Sequence, residues 1–343
     1  MAHELDPWMI VTRTPLRIPF FSGGSDLPAF YTKEPGAAFS ATINKFIYVV
    51  LHKTPNLGIR TMTDTVEAVT ELDEMHHDIA REVLREFGLT RDVTIASVSD
   101  VLAKGSGLGS SSAFTVGMIK AALALEKMPH EGHLKFSLRR ELAEAACTIE
   151  MEKCGFPVGK QDQYAATYGG FNLFEFETDG TVRVQSHTPW YDVQKELEQN
   201  LLLVYSGVGR DANGILQKQQ RAMSDKKKFD LVRANKELAY IAFNNLKNGC
   251  VDGIGELMRE SWQIKKTVVG VTSSYFDGIH EAALRAGAVS GKILGAGGGG
   301  FLLFYVKPDR RQAVIDSLPS TTQTYDFRFC NVGSTVVCHD YEY

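Results

Sequence analysis

The 343-residue chain has no apolar run longer than six residues, as in Phe46–Leu51 and Phe301–Val306. A membrane-crossing helix needs roughly 20, so no span is expected. The opening MAHELDPW has no basic stretch followed by an apolar core, so a secretory signal is not expected either. There is no CxxC pair among Cys147, Cys154, Cys250, Cys330 and Cys338, and no HExxH. An odd set of scattered cysteines argues against a disulfide framework or a zinc site and fits reduced thiols in the cytoplasm. Basic excess is missing too: 37 Lys+Arg against 41 Asp+Glu gives −4. Neither nucleic acid nor a membrane is an expected partner. No tandem repeat and no low-complexity tract is visible.

What is present in slight excess is glycine, 31 residues, about 9% against a usual ~7%. Fourteen of them fall in four segments, 23–24, 105–109, 155–170 and 295–300. Around these, β-rich runs are expected at Trp8–Thr14, Ala38–His52 and Val93–Ser97, and helices at Glu74–Phe87, Ser111–Glu126 and Leu138–Cys154. The second of these helices is apolar on every side and should be buried. After Trp190 the pattern restarts. A strand is expected at Leu201–Tyr205, and a long helical stretch at Ala212–Asn248, broken near Ser224. Helices follow at Ile254–Thr267 and Ser274–Ala286. Then come a strand at Phe301–Val306, a helix at Arg310–Leu318 and a last strand at Ser334–Cys338. The pattern is α+β with two domains, 1–195 and 196–343.

Two nucleotide signatures nearly match. Gly287-Ala-Val-Ser-Gly291-Lys292-Ile293 has three residues between its glycines where a Walker A loop has four. It also ends in Ile where a hydroxyl must reach magnesium. Gly295–Gly300 satisfies GxGxxG, but a strand follows it where the Rossmann motif needs a helix. The run Gly105-Ser106-Gly107-Leu108-Gly109-Ser110-Ser111-Ser112 differs, because it leads directly into the buried helix. Its glycines permit positive φ and close approach. The helix start adds free N–H groups and the positive end of the macrodipole. Together they form an anion site with hydroxyls for phosphate or magnesium.

Phosphoryl transfer also needs a carboxylate for magnesium, a carboxylate for the acceptor, and cations near the phosphate. Glu150, Asp162, and Lys160 or Arg17 are candidates. If Lys160, two residues from Asp162, pairs with it, the carboxylate stays ionised.

In this order and spacing, Arg13–Asp26, Gly105–Ala113 and Leu294–Gly300 resemble the three motifs of the GHMP kinase family. That family includes galactokinase, homoserine kinase and mevalonate kinase, and the resemblance covers essentially the whole chain. It implies an N-terminal domain like ribosomal protein S5 domain 2 and a C-terminal ferredoxin-like α/β sandwich. It also implies ATP and Mg²⁺ as cofactors and a sugar or sugar phosphate as acceptor, phosphorylated at its anomeric hydroxyl. By the same resemblance Ser111 and Glu150 ligate magnesium, Asp162 orients or deprotonates the acceptor, and Arg17 lies near the transferred phosphate. Asp26, Gly23 and Gly24 contact sugar, and Gly297, Gly298 and Gly299 close over the substrates. Galactokinases carry Glu-His where Gly23-Gly24-Ser25 stand; that loss of polar contacts is expected to leave room for a bulkier sugar. A second phosphate on the acceptor would need its own cation, for which Arg210 is the candidate, with Arg60 and Arg328 as weaker ones. An anomeric kinase of an unphosphorylated sugar and a homo-oligomer are compatible with the sequence, while a catalytically silent sensor is the non-enzyme alternative that the presence of Ser111, Glu150 and Asp162 together argues against.

Overall fold

The protein is described by a computed structural model over residues 7–21, 23–102, 105–125, 136–209, 213–270 and 273–341. Its first unit carries β1 (Pro7–Phe21), β2 (Gly36–Lys53), β3 (Ile59–Met62), β4 (Val66–Val69), β5 (Val93–Ser99), β6 (Phe171–Phe176) and β7 (Val182–His187). Helices α1 (Pro28–Tyr31), α2 (Asp78–Glu86), α3 (Ser110–Leu125), α4 (Phe136–Cys147), α5 (Gln161–Tyr168) and α6 (Tyr191–Asn200) accompany them. The second unit follows with β8 (Leu201–Tyr205), β9 (Ser290–Ile293), β10 (Phe301–Tyr305) and β11 (Gln323–Tyr325). Its helices are α7 (Asn213–Ala222), α8 (Lys226–Lys247), α9 (Ile254–Val269), α10 (Ser274–Arg285) and α11 (Arg311–Ser317). A last strand, β12 (Thr335–Tyr341), ends the described chain.

The large sheet runs β12-β1-β2-β5-β3-β4, with β6 and then β7 paired to the early half of β2. Strand β2 is long enough to serve both β6 and β5: Gly36–Ala41 pairs with β6, and Ile47–Lys53 with β5. Prolines cannot donate to a ladder and sit at bulges or edges. In β1 the register shifts between Pro15 and Leu16 and again between Pro19 and Phe21. Arg17 lies between the two irregularities, where a bulged strand bends and re-aims its side chains. Helix α3 packs on β1 and β2 and is buried along almost its whole length, as its all-round apolarity requires.

The small sheet runs β11-β8-β10-β9, all antiparallel. In the unit's own strand count this is 4-1-3-2, with helices between the first and second strands and between the third and fourth, the ferredoxin-like arrangement. Leu201–Val204 and Phe301–Tyr305 are buried without alternation, because both faces of the sheet are covered. One face packs on Trp262, Phe276, Ile279, Ala283 and Val314 of α9, α10 and α11. The other joins the main core.

Two expectations need amendment and one is met. Helix Leu138–Cys154 ends as an α-helix at Cys147 and continues as a π-helical turn, Thr148–Lys153. The long helical stretch breaks near Ser224 as expected, between Ala222 and Lys226, where the Asp225 carboxylate accepts from the backbone N–H of Lys227 and Lys228 and restarts the helix. Residue 195 lies within α6, and β12 leaves the second unit to pair with β1 (Ile10↔His339, Arg13↔Thr335). The segment 196–343 therefore spans the second unit plus an edge strand of the first sheet.

Candidate active site

Between the two units lies a cleft of about 1020 Å³, and most of the candidate residues line it. Its floor is the loop Gly105–Gly109 and the start of α3. Gly105, Gly107 and Gly109 all have φ near +70° to +80°, the left-handed region that favours glycine. At Gly109 space matters as well, since a Cβ would lie 3.2 Å from Arg17 Cγ. The hydroxyls of this segment are divided among tasks. Ser106 and Ser110 bond each other at 2.6 Å, and Leu108 N–H donates to Ser106 Oγ at 3.2 Å. Ser112 turns inward to Glu150. Ser111 is left exposed on the cleft wall, in the first turn of α3.

Arg17 is 3% exposed and grips Asp162 with two bonds, Nε to Oδ1 at 2.8 Å and a terminal nitrogen to Oδ2 at 2.6 Å. Its other terminal nitrogen donates to the Gly107 carbonyl at 2.7 Å, and its own N–H to the Leu108 carbonyl at 3.0 Å. One guanidinium thus joins the first glycine motif, the phosphate loop and α5. Such a bidentate fork fixes the carboxylate's plane as well as its charge. Asp162 retains partial exposure, 25% of its side chain, toward the cleft.

Glu150 sits in the π-helical turn, a distortion frequent at functional sites. It is 1% exposed and accepts from Ser112 Oγ (2.9 Å), Thr115 Oγ1 (2.6 Å) and Gln163 Nε2 (2.8 Å). Burial nevertheless pushes its carboxyl up to about 7, so three neutral donors do not replace water. A cation at the cleft wall would. No group of three or more His, Cys, Asp or Glu side chains able to hold a metal occurs among the described residues. Magnesium commonly takes one or two carboxylates plus phosphate oxygens and water. Glu150 with the Ser111 hydroxyl fits that donor set.

The far end of the cleft is shaped by Asp26, 4% exposed, whose carboxyl is pushed up to about 7 by burial and by the charge of Asp162. Gly159 leaves it room, as a Cβ there would fall 2.0 Å from Asp26 Oδ2. Gly23 and Gly24 have φ of 52° and 96°. The space their missing side chains leave is already filled: Cβ atoms would fall 1.8 Å from Asn235 Nδ2 and 2.2 Å from Gln219 Nε2. The expected room for a bulkier sugar is thus partly taken by two carboxamides from α8 and α7. The C-terminal loop closes the cleft from above. Phe301 N–H donates to the Ser106 carbonyl at 2.9 Å, and a Cβ on Gly107 would fall 2.6 Å from the Leu294 carbonyl.

Residues 74–170 match the GHMP kinases N terminal domain, and residues 242–322 match GHMP kinases C terminal. The D-glycero-alpha-D-manno-heptose 7-phosphate kinase of Campylobacter jejuni is 30% identical over 94% of this chain and 97% of its own. The chain is a GHMP kinase. A crystal structure described as a D-glycero-D-manno-heptose 1-phosphate kinase from Bacteroides thetaiotaomicron superposes with a TM-score of 0.76 at 25% identity, covering 96% of this chain and 99% of that one. The bifunctional fucokinase/GDP-fucose pyrophosphorylase of Arabidopsis thaliana is 25% identical over 92% of this chain and 32% of its own length. The protein is accordingly a phosphotransferase with an alcohol group as acceptor, a GHMP sugar kinase.

In this GHMP kinase the residues Arg17, Gly23, Gly24, Asp26, Gly105–Gly107, Gly109–Ser112, Glu150 and Asp162 come together on one cleft. The other described candidates do not line it, and Leu108 is buried in the main core. Lys160 does not pair with Asp162: its Nζ donates to Glu144 at 3.0 Å and to the Gly180 carbonyl at 2.7 Å. Position 160 precedes α5, so its side chain leaves on the opposite side. Gly297–Gly299 do not line the cleft, where Gly295 and Ala296 do; a Cβ on Gly298 would fall 2.7 Å from Ile215. Arg328 pairs with Glu198 outside the cleft, and Arg60 is exposed on β3. Arg210 lies outside the described residues. Lys265 and Lys292 also line the cleft, together with Gln219 and Asn235. Sequence reasoning gave none of the four a role: Lys265, Gln219 and Asn235 carry no local mark within their helices, and Lys292 was set aside with the rejected Walker-like segment.

Proposed function

We propose that this kinase transfers the γ-phosphoryl group of ATP to the anomeric (C1) hydroxyl of D-glycero-D-manno-heptose 7-phosphate. The product is the 1,7-bisphosphate, a precursor of nucleotide-activated heptose for surface polysaccharide. The observation that carries the reading is the Arg17–Asp162 fork beside the phosphate loop, taken with the heptose 7-phosphate kinase likeness over nearly the whole chain.

In this reading the loop N–H groups and the start of α3 hold the nucleotide phosphates. Asp162, fixed by Arg17, accepts a hydrogen bond from the acceptor hydroxyl and then its proton. The bond between the γ-phosphorus and the bridging oxygen breaks as the new bond to the sugar oxygen forms, and ADP leaves. Because the transition state is loose, orientation matters more than base strength. Both Asp162 oxygens can therefore stay bonded to Arg17. Glu150 and Ser111 would hold magnesium, which when bound offsets charge on the phosphates. Asp26 would accept from sugar hydroxyls that direct C1 toward Asp162.

Phosphorus NMR of products from a panel tests this: heptose 7-phosphate, heptose, heptose 1-phosphate and fucose. The expected result is fastest turnover of the 7-phosphate, with the new phosphorus coupled to the anomeric proton. Faster turnover of an unphosphorylated sugar, or a phosphate placed elsewhere, overturns the assignment.

A further inference from the structure

The segment Gly287–Ile293 looks like a phosphate loop but lacks its spacing, and Ser290–Ile293 folds as β9. Its lysine nevertheless faces the cleft. Lys292 is 5% exposed and reaches out of the second unit into the first, donating from Nζ to the carbonyls of Pro19 (2.9 Å) and Phe20 (2.6 Å). The ring of Phe21 lies 5.8 Å from the same nitrogen. Among the described residues no carboxylate pairs with it, and the charge it feels is Arg17, a like charge.

A tie between two units needs only a neutral donor. Burying an ammonium for that purpose is costly unless something opposes its charge. Burial and Arg17 together push Lys292 down to about 7. Of its three N–H donors, two meet carbonyls and one remains. Arg17 is already matched by Asp162, whereas Lys292, on the wall of the same cleft as the phosphate loop, would carry a charge when protonated that no described carboxylate matches.

We propose that Lys292 is a second cation of the phosphoryl-transfer site, brought by the C-terminal unit and matched by the phosphoryl group as it passes from nucleotide to acceptor. The inference rests on the kinase reading and deepens it. Charge on the three non-bridging oxygens persists while one P–O bond breaks and the other forms, and the acceptor's proton goes to Asp162. Lys292 keeps its own proton throughout. Because Lys292 and Arg17 come from different units, the pair of cations is complete only when the units are docked.

The test compares Lys292→Gln, a neutral donor still able to meet a carbonyl, with the native enzyme. Melting temperature, affinity for ADP and affinity for the β,γ-imido analogue of ATP are measured by calorimetry, and kcat with the accepted sugar by coupled assay. The Gln variant should melt within a few degrees of native and bind ADP within about threefold. Its preference for the analogue over ADP should fall about tenfold or more, and kcat about 10²–10³-fold. Retention of both the preference and kcat within threefold would leave Lys292 a tie alone and overturn the proposal. Equal weakening of both nucleotides with a lowered melting temperature would do the same. If the Gln variant does not fold, Lys292→Met is measured in its place, since an apolar side chain of similar length removes the buried charge. The nucleotide comparison needs no sugar. A native enzyme that ignores heptose 7-phosphate therefore sinks the substrate assignment and leaves this result standing.

Discussion

Replacing Asp26 by Asn should make the protein more stable and less useful at the same time. The carboxyl is raised from 3.8 to about 7, first by burial and then by Asp162. A group raised in the folded state favours folding fully below its unfolded value and loses that contribution as pH rises through the folded one. Here the loss accumulates between 3.8 and about 7. At about 1.4 kcal/mol for each unit, the full separation corresponds to about 4 kcal/mol, an upper figure. About 2–3 kcal/mol of it falls between pH 5 and pH 8. Asn does not titrate, so its stability advantage over the native protein should grow by about that amount across the interval. Urea unfolding of both proteins at the two pH values measures the difference directly. Sugar KM should rise in the Asn variant while the KM for ATP stays within about twofold. If the Asn variant gains nothing between pH 5 and pH 8, Asp26 is not held toward its neutral form, and the account of the cleft's far end is wrong.

Other perturbations separate roles that the sequence runs together. Asp162→Asn should lower kcat by about 10²–10⁴ while nucleotide affinity, read by calorimetry, persists. Lys160→Met should cost about 1–3 kcal/mol in urea unfolding through loss of the Glu144 and Gly180 contacts. Its kcat per folded molecule should be unchanged; a large fall would restore Lys160 to the chemistry. Gly24→Ala forces a Cβ to 2.2 Å from Gln219 Nε2 at a φ of 96°, and should destabilise by about 1–3 kcal/mol. Adding Gln219→Ala should return the contact part of that loss but not the backbone part. Glu150→Gln should move the midpoint of a magnesium titration upward and lower maximal turnover, since the charge is lost while the side chain's shape is kept.

The parts of the site that were legible in the sequence are those where composition and position coincide. A glycine-and-serine string running into an apolar helix marks both the loop and the start of α3, and the structure uses three of its glycines at φ of about 70° to 80°. Glu150 and Asp162 were candidates by their order after that loop, and the family resemblance implied their roles. Partners were not legible where they come from far along the chain. Asp162 is held by a residue 145 positions away, whereas Lys160, two positions away, bonds Glu144 and the Gly180 carbonyl. The π-helical turn that carries Glu150 has no compositional mark, since its residues are ordinary helix formers. Gly23-Gly24 read as vacated space until the structure put Asn235 and Gln219 there. The return of β12 to the first sheet was invisible for the same reason: a strand's own residues say which face is buried, not which edge receives it.

The charged groups of the cleft share a physical condition that explains why they persist. Glu150 and Asp26 are pushed up, and Lys292 is pushed down, in each case chiefly by burial. Apolar residues of similar size at those positions would give a more stable chain. The Arg17–Asp162 pair is different, since each partner already meets the other and the neighbouring carbonyl of Gly107 takes a further guanidinium donor. A fixed pair suits the atoms that must hold one geometry. Unmatched groups suit places where the matching charge or hydroxyl arrives with a ligand, because binding then relieves a penalty already present in the empty protein. The cleft therefore separates orientation from recognition. Replacing Asp162 by the isosteric Asn should be felt chiefly in kcat, removing Arg17 should cost both kcat and stability because its charge pair and its carbonyl contacts go together, and removing Asp26 should stabilise the fold and be felt in sugar binding.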